Sequence, residues 1–187
     1  MNTKHPMNPD SILPEDTYWV RPHDVMAGKY PGSLYPDETR EKLITYLDAG
    51  VTAFLDLTQA HELEHYEATL RELARERGID IAYQRHPVPD VSVPEHPSQM
   101  RAILDQIQHW RNENRVVYIH CWGGVGRTGT VVGCLLIEYG MTGEQALTHI
   151  AELWQQLSPA RRRLHPRSPQ VLEQFKYVWT WKAGGGK

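Results

Sequence analysis

Residues 115–140 contain two apolar runs separated by a glycine-rich stretch, and this arrangement limits the fold more than any other feature of the chain. The first run, RVVYIH, is short and rich in β-branched residues, which predicts a buried strand ending at His120. The second run, TVVGCLLIEYG, predicts an almost wholly apolar helix that starts near Arg127. Because a strand, a tight turn and a buried helix open a crossover unit, the chain is expected to have an α/β fold.

Strand-like and helix-like patterns alternate along most of the chain. We therefore predict a single domain over residues 17–182, with a central, mostly parallel sheet flanked by helices. Residues 1–16 are expected to form a flexible arm and residues 183–187 a frayed tail. Four prolines make residues 87–97, PVPDVSVPEHP, a predicted loop. Strands are predicted at 18–20, 25–30, 51–58, 79–86 and 115–120, the first two as edge strands. Helices are predicted at 37–50, 63–78, 100–110, 127–140, 142–157 and 169–181.

The composition argues against several kinds of partner and location. A formal net charge of -3 gives no general attraction to nucleic acid or to anionic membranes. The N-terminus lacks the apolar core of a secretory signal, and no apolar stretch reaches the roughly 18 residues of a membrane span. Two cysteines, Cys121 and Cys134, are too few for a disulfide framework. We expect a cytoplasmic monomer in which Cys134 packs in the core and the Cys121 thiol is free to react.

The stretch HCWGGVGRTG, residues 120–129, has two interpretations. Its glycines match the G-x-G-x-x-G pattern of dinucleotide-binding folds, but that pattern requires a second strand carrying an acidic residue about 20 positions later. The sequence after Gly140 instead predicts a helix, and no lysine follows Gly129 to complete a nucleotide-binding P-loop. The stretch also spells C-x5-R from Cys121 to Arg127, and this second interpretation is favoured.

In that interpretation the turn is a cradle for a phosphate group. The backbone N–H groups between the strand and the helix converge at the positive end of the helix dipole, and the glycines let the turn curl tightly. The same donors stabilise a thiolate at Cys121, which makes it the expected nucleophile, and Thr128 is expected to hydrogen-bond the sulfur as it leaves. The expected phosphate-binding residues are Trp122, Gly123, Gly124, Val125, Gly126 and the bidentate Arg127.

These residues resemble the signature H-C-x-x-G-x-x-R-[ST]-G of the cysteine-dependent protein tyrosine phosphatases at every fixed position. From about residue 18 to residue 181 the chain is similar to the small dual-specificity branch, and its loop is similar to that of kinase-associated phosphatases. The resemblance implies a mixed sheet flanked by helices and a general acid on a mobile loop, which falls on Asp90, with Glu95 as the second candidate. It also implies a glutamine that guides water, either Gln170 or Gln174.

Other residues are assigned weaker expectations. His120 is expected to support the loop rather than to exchange protons during the reaction. Trp122 is expected either to line the mouth of the site or to pack on the surface. The basic run ARRRLHPR, residues 160–167, is predicted as a solvated loop, with a docking site for an acidic or phosphorylated partner as the alternative. The ten histidines show no metal-ligand spacing, so neither a metal nor a cofactor is expected.

The function predicted from the sequence is hydrolysis of phosphomonoesters through a phosphocysteine intermediate. Because the five residues between Cys121 and Arg127 carry no charge, the expected substrate is phosphotyrosine in proteins, with phosphoserine and phosphothreonine as further substrates. Two alternatives remain open: a phosphatase of phosphoinositides or inositol phosphates, and a catalytically weak phosphate-binding module.

Overall fold

The computed structural model describes residues 13–185 of the chain. Its strands and helices are, in chain order, β1 (Thr17–Arg21), β2 (Val25–Gly28), α1 (Pro36–Asp48), β3 (Ala53–Asp56), α2 (Glu67–Arg77), β4 (Ala82–Arg85), α3 (Pro97–Asn112), β5 (Val117–His120), α4 (Gly126–Glu138), α5 (Gly143–Trp154), α6 (Pro159–Leu164) and α7 (Leu172–Thr180). Most of the arm predicted for residues 1–16 lies outside the described residues. At its described end, Glu15 and Asp16 form ion pairs with Lys29 at 2.9 and 3.1 Å.

The strands form one mixed sheet in the order β1-β2-β5-β3-β4. β5 lies at the centre and pairs in parallel with β2 and β3, and β4 pairs in parallel with β3. β1 runs antiparallel to β2 at one edge. The predicted α/β fold with a central, mostly parallel sheet is therefore confirmed. The carboxyl ends of the four parallel strands lie along one edge of the sheet, where open α/β sheets place their ligand sites.

Helices cover both faces of the sheet, and the alternation along β5 shows how. Val117 and Ile119 belong to the larger core, which β5 shares with α3, α4, α5 and α7. Tyr118 points to the opposite face and belongs to the smaller core under α1 and α2. A strand that is apolar on both faces has no solvent side, which is why the sequence RVVYIH is a continuous apolar run instead of an alternating one.

Helix α4 is the most deeply buried helix, and its residues from Gly126 to Ile137 are all buried. At Gly133 a Cβ atom would lie 2.6 Å from the Val178 side chain, so glycine allows α7 to pack directly on α4. Cys134 lies in this core as predicted, and burial raises the pKa of its thiol well above the usual value. Both cysteines are free thiols. The next helix, α5, begins with the predicted capping box of Thr142 and Gln145.

Four predictions about the elements are wrong in detail. Strand β2 is interior and not at an edge, because β1 folds back antiparallel beside it. Helices α2 and α7 begin later than predicted, since the residues before them, Leu63 and Gln170 among them, form walls of a cleft. The basic run is not a loop but contains α6. Ser158 caps this helix by accepting a hydrogen bond from the Arg161 N–H, and Pro159 occupies its first turn, a start signal that the sequence does contain.

The imidazole of His120, at the end of β5, lies in a shell of tyrosine side chains. Its ring is fully buried, and its centroid lies 5.5 Å from those of Tyr30, Tyr66 and Tyr118. The Tyr66 hydroxyl is 2.7 Å from the ring Nε2. Burial lowers the pKa of His120 and outweighs the Asp56 carboxylate, which lies 3.9 Å from Nδ1. The ring is therefore neutral at neutral pH.

This burial makes the stability of the protein dependent on pH. Because unfolded His120 binds a proton at a higher pH than the buried ring does, the free energy of unfolding should fall as the pH is lowered from about 7 to about 5, by at most about 1.4 kcal/mol per pH unit for this group. Urea unfolding at several pH values measures the slope. His120→Asn should reduce the slope, whereas His96→Asn, at an exposed position, should not. An unchanged slope in the His120 variant would contradict a neutral buried ring.

Candidate active site

The turn between β5 and α4, together with the first two residues of α4, forms the centre of the site. We call residues 121–127 the cysteine loop. Cys121 follows the central strand directly and is only 3% exposed, yet it lines a surface cleft together with Trp122 and Gly123. The loop re-enters regular structure at Gly126, the first residue of α4. The free N–H groups and the positive end of the α4 dipole therefore meet at this loop.

The curvature of the loop depends on one glycine. Gly124 has a φ of +70°, and a Cβ atom there would lie 2.3 Å from the carbonyl carbon of Gly28 at the end of β2. Any other residue would be strained by this φ and would also clash with backbone that cannot move away. The glycine predicted to allow tight curling is thus required both by its conformation and by the close approach of β2.

The carbonyl groups of the cysteine loop are bonded to its surroundings. The Tyr30 N–H donates to the Trp122 carbonyl at 2.8 Å, and the Ser168 hydroxyl donates to the Val125 carbonyl at 2.7 Å. The Arg161 guanidinium donates to the Gly123 carbonyl. Within residues 13–185, the N–H groups of residues 122–125 have no hydrogen-bond acceptor. A turn with three carbonyls bonded to protein while its N–H groups remain without an acceptor can bind an anion.

Arg127 is buried, with 2% of its surface exposed, and its guanidinium connects three loops. Nη1 donates to Glu62 Oε1 at 2.7 Å and to the Val88 carbonyl at 2.9 Å, and Nη2 donates to Glu62 Oε2 at 2.8 Å. Nη2 also lies 2.9 Å from Asp90 Oδ1. Since a buried guanidinium must be paired, these contacts fix the side chain beside the cysteine loop.

Glu62 is a residue of this site that the sequence analysis did not identify. Burial alone would raise the pKa of Glu62, but hydrogen bonds from Arg127 and from the Gln59 N–H bring it below the usual value, so the carboxylate is ionised at neutral pH. It holds the guanidinium in a fork, with two parallel N–H to oxygen bonds. The available signal was its position: Glu62 follows β3, and loops after parallel strands carry ligand-site residues.

The two candidate acids have different surroundings. We call residues 87–96 the acid loop. Asp90 lies on it within the cleft, with its side chain 53% exposed and in contact with Arg127. The side chain of Glu95 is 85% exposed, and its carboxylate lies 3.9 Å from the His96 ring instead of facing the cleft. The structure thus brings Asp90 into the site and leaves Glu95 outside it.

Two threonines in the first turns of α4 also differ. Thr130 donates to the Gly126 carbonyl at 2.9 Å, which is an ordinary bond within a helix. Thr128 is fully buried, and its Oγ1 has no hydrogen-bond partner in the described part of the chain. Leaving a buried hydroxyl unpaired costs about 1–3 kcal/mol. The Thr128 hydroxyl is therefore free for the role predicted for it at the Cys121 sulfur.

The structure also separates the two candidate glutamines. Gln170 lines the cleft, whereas Gln174 is fully buried. Gln174 Oε1 accepts from the N–H groups of Gln170 and Val171 at 3.1 and 3.2 Å. Its Nε2 donates to the Ser92 carbonyl at 3.0 Å. Gln170 is thus placed where a substrate or water can reach it, and the amide of Gln174 is already bonded at both ends.

The cleft has a volume of about 640 Å³ and is lined by basic as well as apolar side chains. Lys29 and Arg161 both line it, but Asp16 lies 3.1 Å from the Lys29 ammonium and 4.0 Å from Arg161 Nε, so part of their charge is offset. Trp122 lies at the mouth with 56% of its surface exposed, which favours the first of its two predicted roles. Lys42 and His165 complete the basic part of the lining.

Among residues 13–185, no group of three or more His, Cys, Asp or Glu side chains is arranged to hold a metal ion. No helix in the same range is long and apolar enough to cross a membrane.

Comparison with known proteins places the chain among phosphatases. The pig protein named cyclin-dependent kinase inhibitor 3 is 33% identical over 95 residues, which are 49% of this chain and 43% of that protein. An Arabidopsis thaliana protein named as both a phosphatidylinositol 3,4,5-trisphosphate 3-phosphatase and a protein-tyrosine-phosphatase is 24% identical over 133 residues, 70% of this chain and 30% of that protein. The chain thus spans less than half the length of these curated relatives.

The same fold is found in a solved structure. The crystal structure of Tk-PTP in its active form superposes with a TM-score of 0.64, at 24% identity, and covers 87% of this chain and 93% of that one. At this identity the likeness shows the fold alone. A family model described as the DSP-PTPase phosphatase domain of Swiss Army Knife proteins matches residues 14–177. Since that match covers most of the chain, the protein belongs to the family of DSP-PTPase phosphatase domains.

Proposed function

We propose that this protein is a cysteine-dependent phosphatase that removes phosphate from phosphotyrosine in proteins, acting as a cytoplasmic monomer without metal or cofactor. One observation carries the proposal: Cys121, Arg127 and Asp90 line the same cleft, next to a loop whose N–H groups have no acceptor within the described residues. These groups supply a nucleophile, an anion clamp and an acid, the three requirements of phosphoester cleavage by a thiolate.

In the first step the Cys121 thiolate attacks phosphorus and the ester P–O bond breaks. The N–H groups of residues 122–126 and the Arg127 guanidinium bind the three phosphoryl oxygens, whose charge is spread outward in the transition state. Asp90, in its protonated form, transfers its proton to the departing ester oxygen. The products are the free alcohol, a phosphocysteine at Cys121 and the Asp90 carboxylate. Glu62 keeps the Arg127 fork oriented throughout, because it accepts from both Nη1 and Nη2.

In the second step water hydrolyses the phosphocysteine. The Asp90 carboxylate takes a proton from the attacking water, the P–S bond breaks, and inorganic phosphate and the thiolate are released. The Thr128 hydroxyl donates a hydrogen bond to the sulfur as negative charge returns to it. Gln170 lines the cleft and is the glutamine proposed to orient the water. After this step the original protonation state is restored.

The mouth of the cleft supports a phosphoprotein substrate. Large apolar side chains are exposed at the cleft or next in the chain to a residue that lines it: Leu34, Tyr35, Val91, Trp122 and Leu164. The cysteine loop contributes only one charge, that of Arg127, which matches a single phosphate. Apolar contact and stacking on Trp122 then stabilise an aromatic phosphoester and the peptide around it. Phosphoserine and phosphothreonine lack the ring, so they are the weaker substrates in this proposal.

The second candidate function is hydrolysis of a phosphoinositide or inositol phosphate, and the basic lining of the cleft favours it. Lys29, Lys42 and Arg161 would each attract a further phosphate. Lys29 and Arg161, however, already face Asp16, and Arg161 donates to the Gly123 carbonyl. Binding further phosphates at Lys29 or Arg161 would require these contacts to break, which is why the phosphotyrosine proposal ranks first.

The first prediction concerns the nucleophile. Cys121→Ser should lower hydrolysis of nitrophenyl phosphate below about 1% of wild type, because losing a nucleophile costs several orders of magnitude. Steady-state release of nitrophenol measures it, with Cys134→Ser as the matched control that should stay close to wild type. Added chelator should not change the rate of hydrolysis by either the wild-type protein or the Cys134 variant. Activity retained by the Cys121 variant would contradict the phosphocysteine mechanism. If the wild-type protein binds phosphate but does not hydrolyse nitrophenyl phosphate, the protein is a phosphate-binding module.

The second prediction concerns the acid. Asp90→Asn should reduce kcat/KM by a much larger factor for alkyl phosphates than for nitrophenyl phosphate, since the nitrophenolate ion leaves without a proton. Glu95→Gln is the matched control and should leave both substrates unaffected, because Glu95 lies outside the cleft. Equal losses on the two substrates in the Asp90 variant would refute its role as acid.

The third prediction concerns the substrate class. A phosphotyrosine peptide should have a higher kcat/KM than the corresponding phosphoserine peptide and than soluble phosphoinositides, all measured by phosphate release. A preference of tenfold for a phosphoinositide, equivalent to about 1.4 kcal/mol of transition-state binding, would overturn the protein-phosphatase proposal. In that case Lys42→Ala should weaken phosphoinositide hydrolysis more than hydrolysis of the peptide.

A further inference from the structure

We infer that Gln174 is a positioning residue that holds the acid loop over the cysteine loop, and that it is not the residue that guides water. The inference rests on the proposed function, since it concerns how Asp90 is presented to the substrate. The inference is carried by the contacts of one fully buried side chain, which hydrogen-bonds to two separate parts of the chain and packs against a third.

The first of these parts is α7 itself. Gln174 Oε1 accepts from the N–H groups of Gln170 and Val171, which lie before the first turn of α7, at 3.1 and 3.2 Å. The side chain therefore folds back over the start of its own helix and satisfies two N–H groups there. This fixes the amide plane and determines which way its NH₂ group points.

The second part is the acid loop. Gln174 Nε2 donates to the Ser92 carbonyl at 3.0 Å, two residues after Asp90 in the chain. In the described part of the chain it is the one hydrogen bond between α7 and this loop. Val91, between Asp90 and Ser92, has a φ of +56°, so the backbone turns sharply between the acid and the bonded carbonyl. Displacing Ser92 therefore displaces the Asp90 side chain as well.

The third part is the cysteine loop. At Gly126, the last residue before Arg127, a Cβ atom would lie 2.8 Å from Gln174 Nε2 and 2.9 Å from Gln174 Oε1. The amide of Gln174 is thus packed directly against the start of α4. A single side chain spans the distance from the cysteine loop to the acid loop, and glycine at position 126 leaves the room for it.

The tether matters because the bond between Asp90 and Arg127 does not survive the reaction, which leaves the bond from Arg127 to the Val88 carbonyl and the bond from Gln174 to the Ser92 carbonyl to hold the acid loop. Asp90 is 2.9 Å from Arg127 Nη2, but in the proposed mechanism Arg127 binds phosphoryl oxygens and Asp90 must face the ester oxygen. The bond from Gln174 to Ser92 involves neither of these groups and can persist through both steps. It therefore keeps the acid near the substrate when the bond between acid and arginine is given up.

A water-guiding role requires an amide with a free polar end facing the cleft. Gln174 is fully buried with both ends bonded, whereas Gln170 lines the cleft. The two roles predict different kinetics. A loosened acid loop slows the step that needs a proton on the leaving group, and it does so according to the basicity of that group. A lost water-guiding residue slows hydrolysis of the phosphocysteine, which is the same intermediate for every substrate.

The experiment compares Gln174→Glu with Gln174→Met, Gln170→Ala and the control Glu173→Gln, an exposed neighbour on α7. The glutamate variant keeps the acceptor for the two N–H groups but faces the Ser92 carbonyl with an oxygen, and methionine has similar volume without the bond. Each protein is assayed on nitrophenyl phosphate and on an alkyl phosphate. Rates are expressed per active site, counted from the burst of nitrophenol, so that unfolded protein does not enter the comparison.

In both Gln174 variants, kcat/KM should fall by a factor at least tenfold larger for the alkyl phosphate than for nitrophenyl phosphate, which is the pattern expected of Asp90→Asn. Glu173→Gln should leave kcat/KM unchanged for both substrates. Gln170→Ala should instead enlarge the initial burst of nitrophenol relative to the steady-state rate of its release. Equal losses on both substrates, or an enlarged burst in the Gln174 variants, would overturn the inference while leaving the proposed function intact. If wild type hydrolyses neither substrate, the proposed function itself fails, and the two failures are thereby distinguished.

Discussion

The buried guanidinium of Arg127 is the group around which the rest of the site is arranged. A charge that is 2% exposed is costly unless it is paired, and here its Nη atoms are paired with a carboxylate fork from Glu62, with Asp90 and with the carbonyl of Val88, while its Nε has no partner among the described residues. These partners come from the loops that follow β3 and β4, so the pairing of one side chain fixes the positions of two loops next to the cysteine loop. The same contacts that offset the cost of burial also orient the group that is proposed to bind phosphate.

The cysteine loop shows how packing leaves donors free. β2 approaches so closely that only glycine fits at position 124, and the loop carbonyls are bonded to Tyr30, Ser168 and Arg161. With three of the carbonyls bonded to protein, the N–H groups of residues 122–125 are left without an acceptor among the described residues, at the N-terminal end of α4. The proposed anion binding thus depends on where the surrounding elements place their own donors, as well as on the charge of Arg127.

Much of this arrangement was predictable, because it is encoded over short distances. The strand ending at His120 and the helix after it are both local apolar patterns, and the spacing from Cys121 to Arg127 lies within one turn. Asp90 was found through a resemblance, on a loop that its prolines identify. Two errors lie where distant parts of the chain meet: the interior position of β2 and the part played by Glu62. Each depends on a neighbour that is far away in the sequence. The helix formed by residues 159–164 was missed although its start signal, Ser158 followed by Pro159, is local.

The sequence by itself determined the proposed chemistry of the site, since the proposed nucleophile, the proposed anion clamp and the tight turn lie within the ten residues from His120 to Gly129. The tertiary structure decided which of several equivalent side chains reaches the cleft. It placed Asp90 in the cleft and Glu95 outside it, and it buried Gln174 while leaving Gln170 in the cleft wall. The physical reason is that residue type and spacing fix what a side chain can do, whereas its exposure and hydrogen-bond partners depend on segments brought together only by folding.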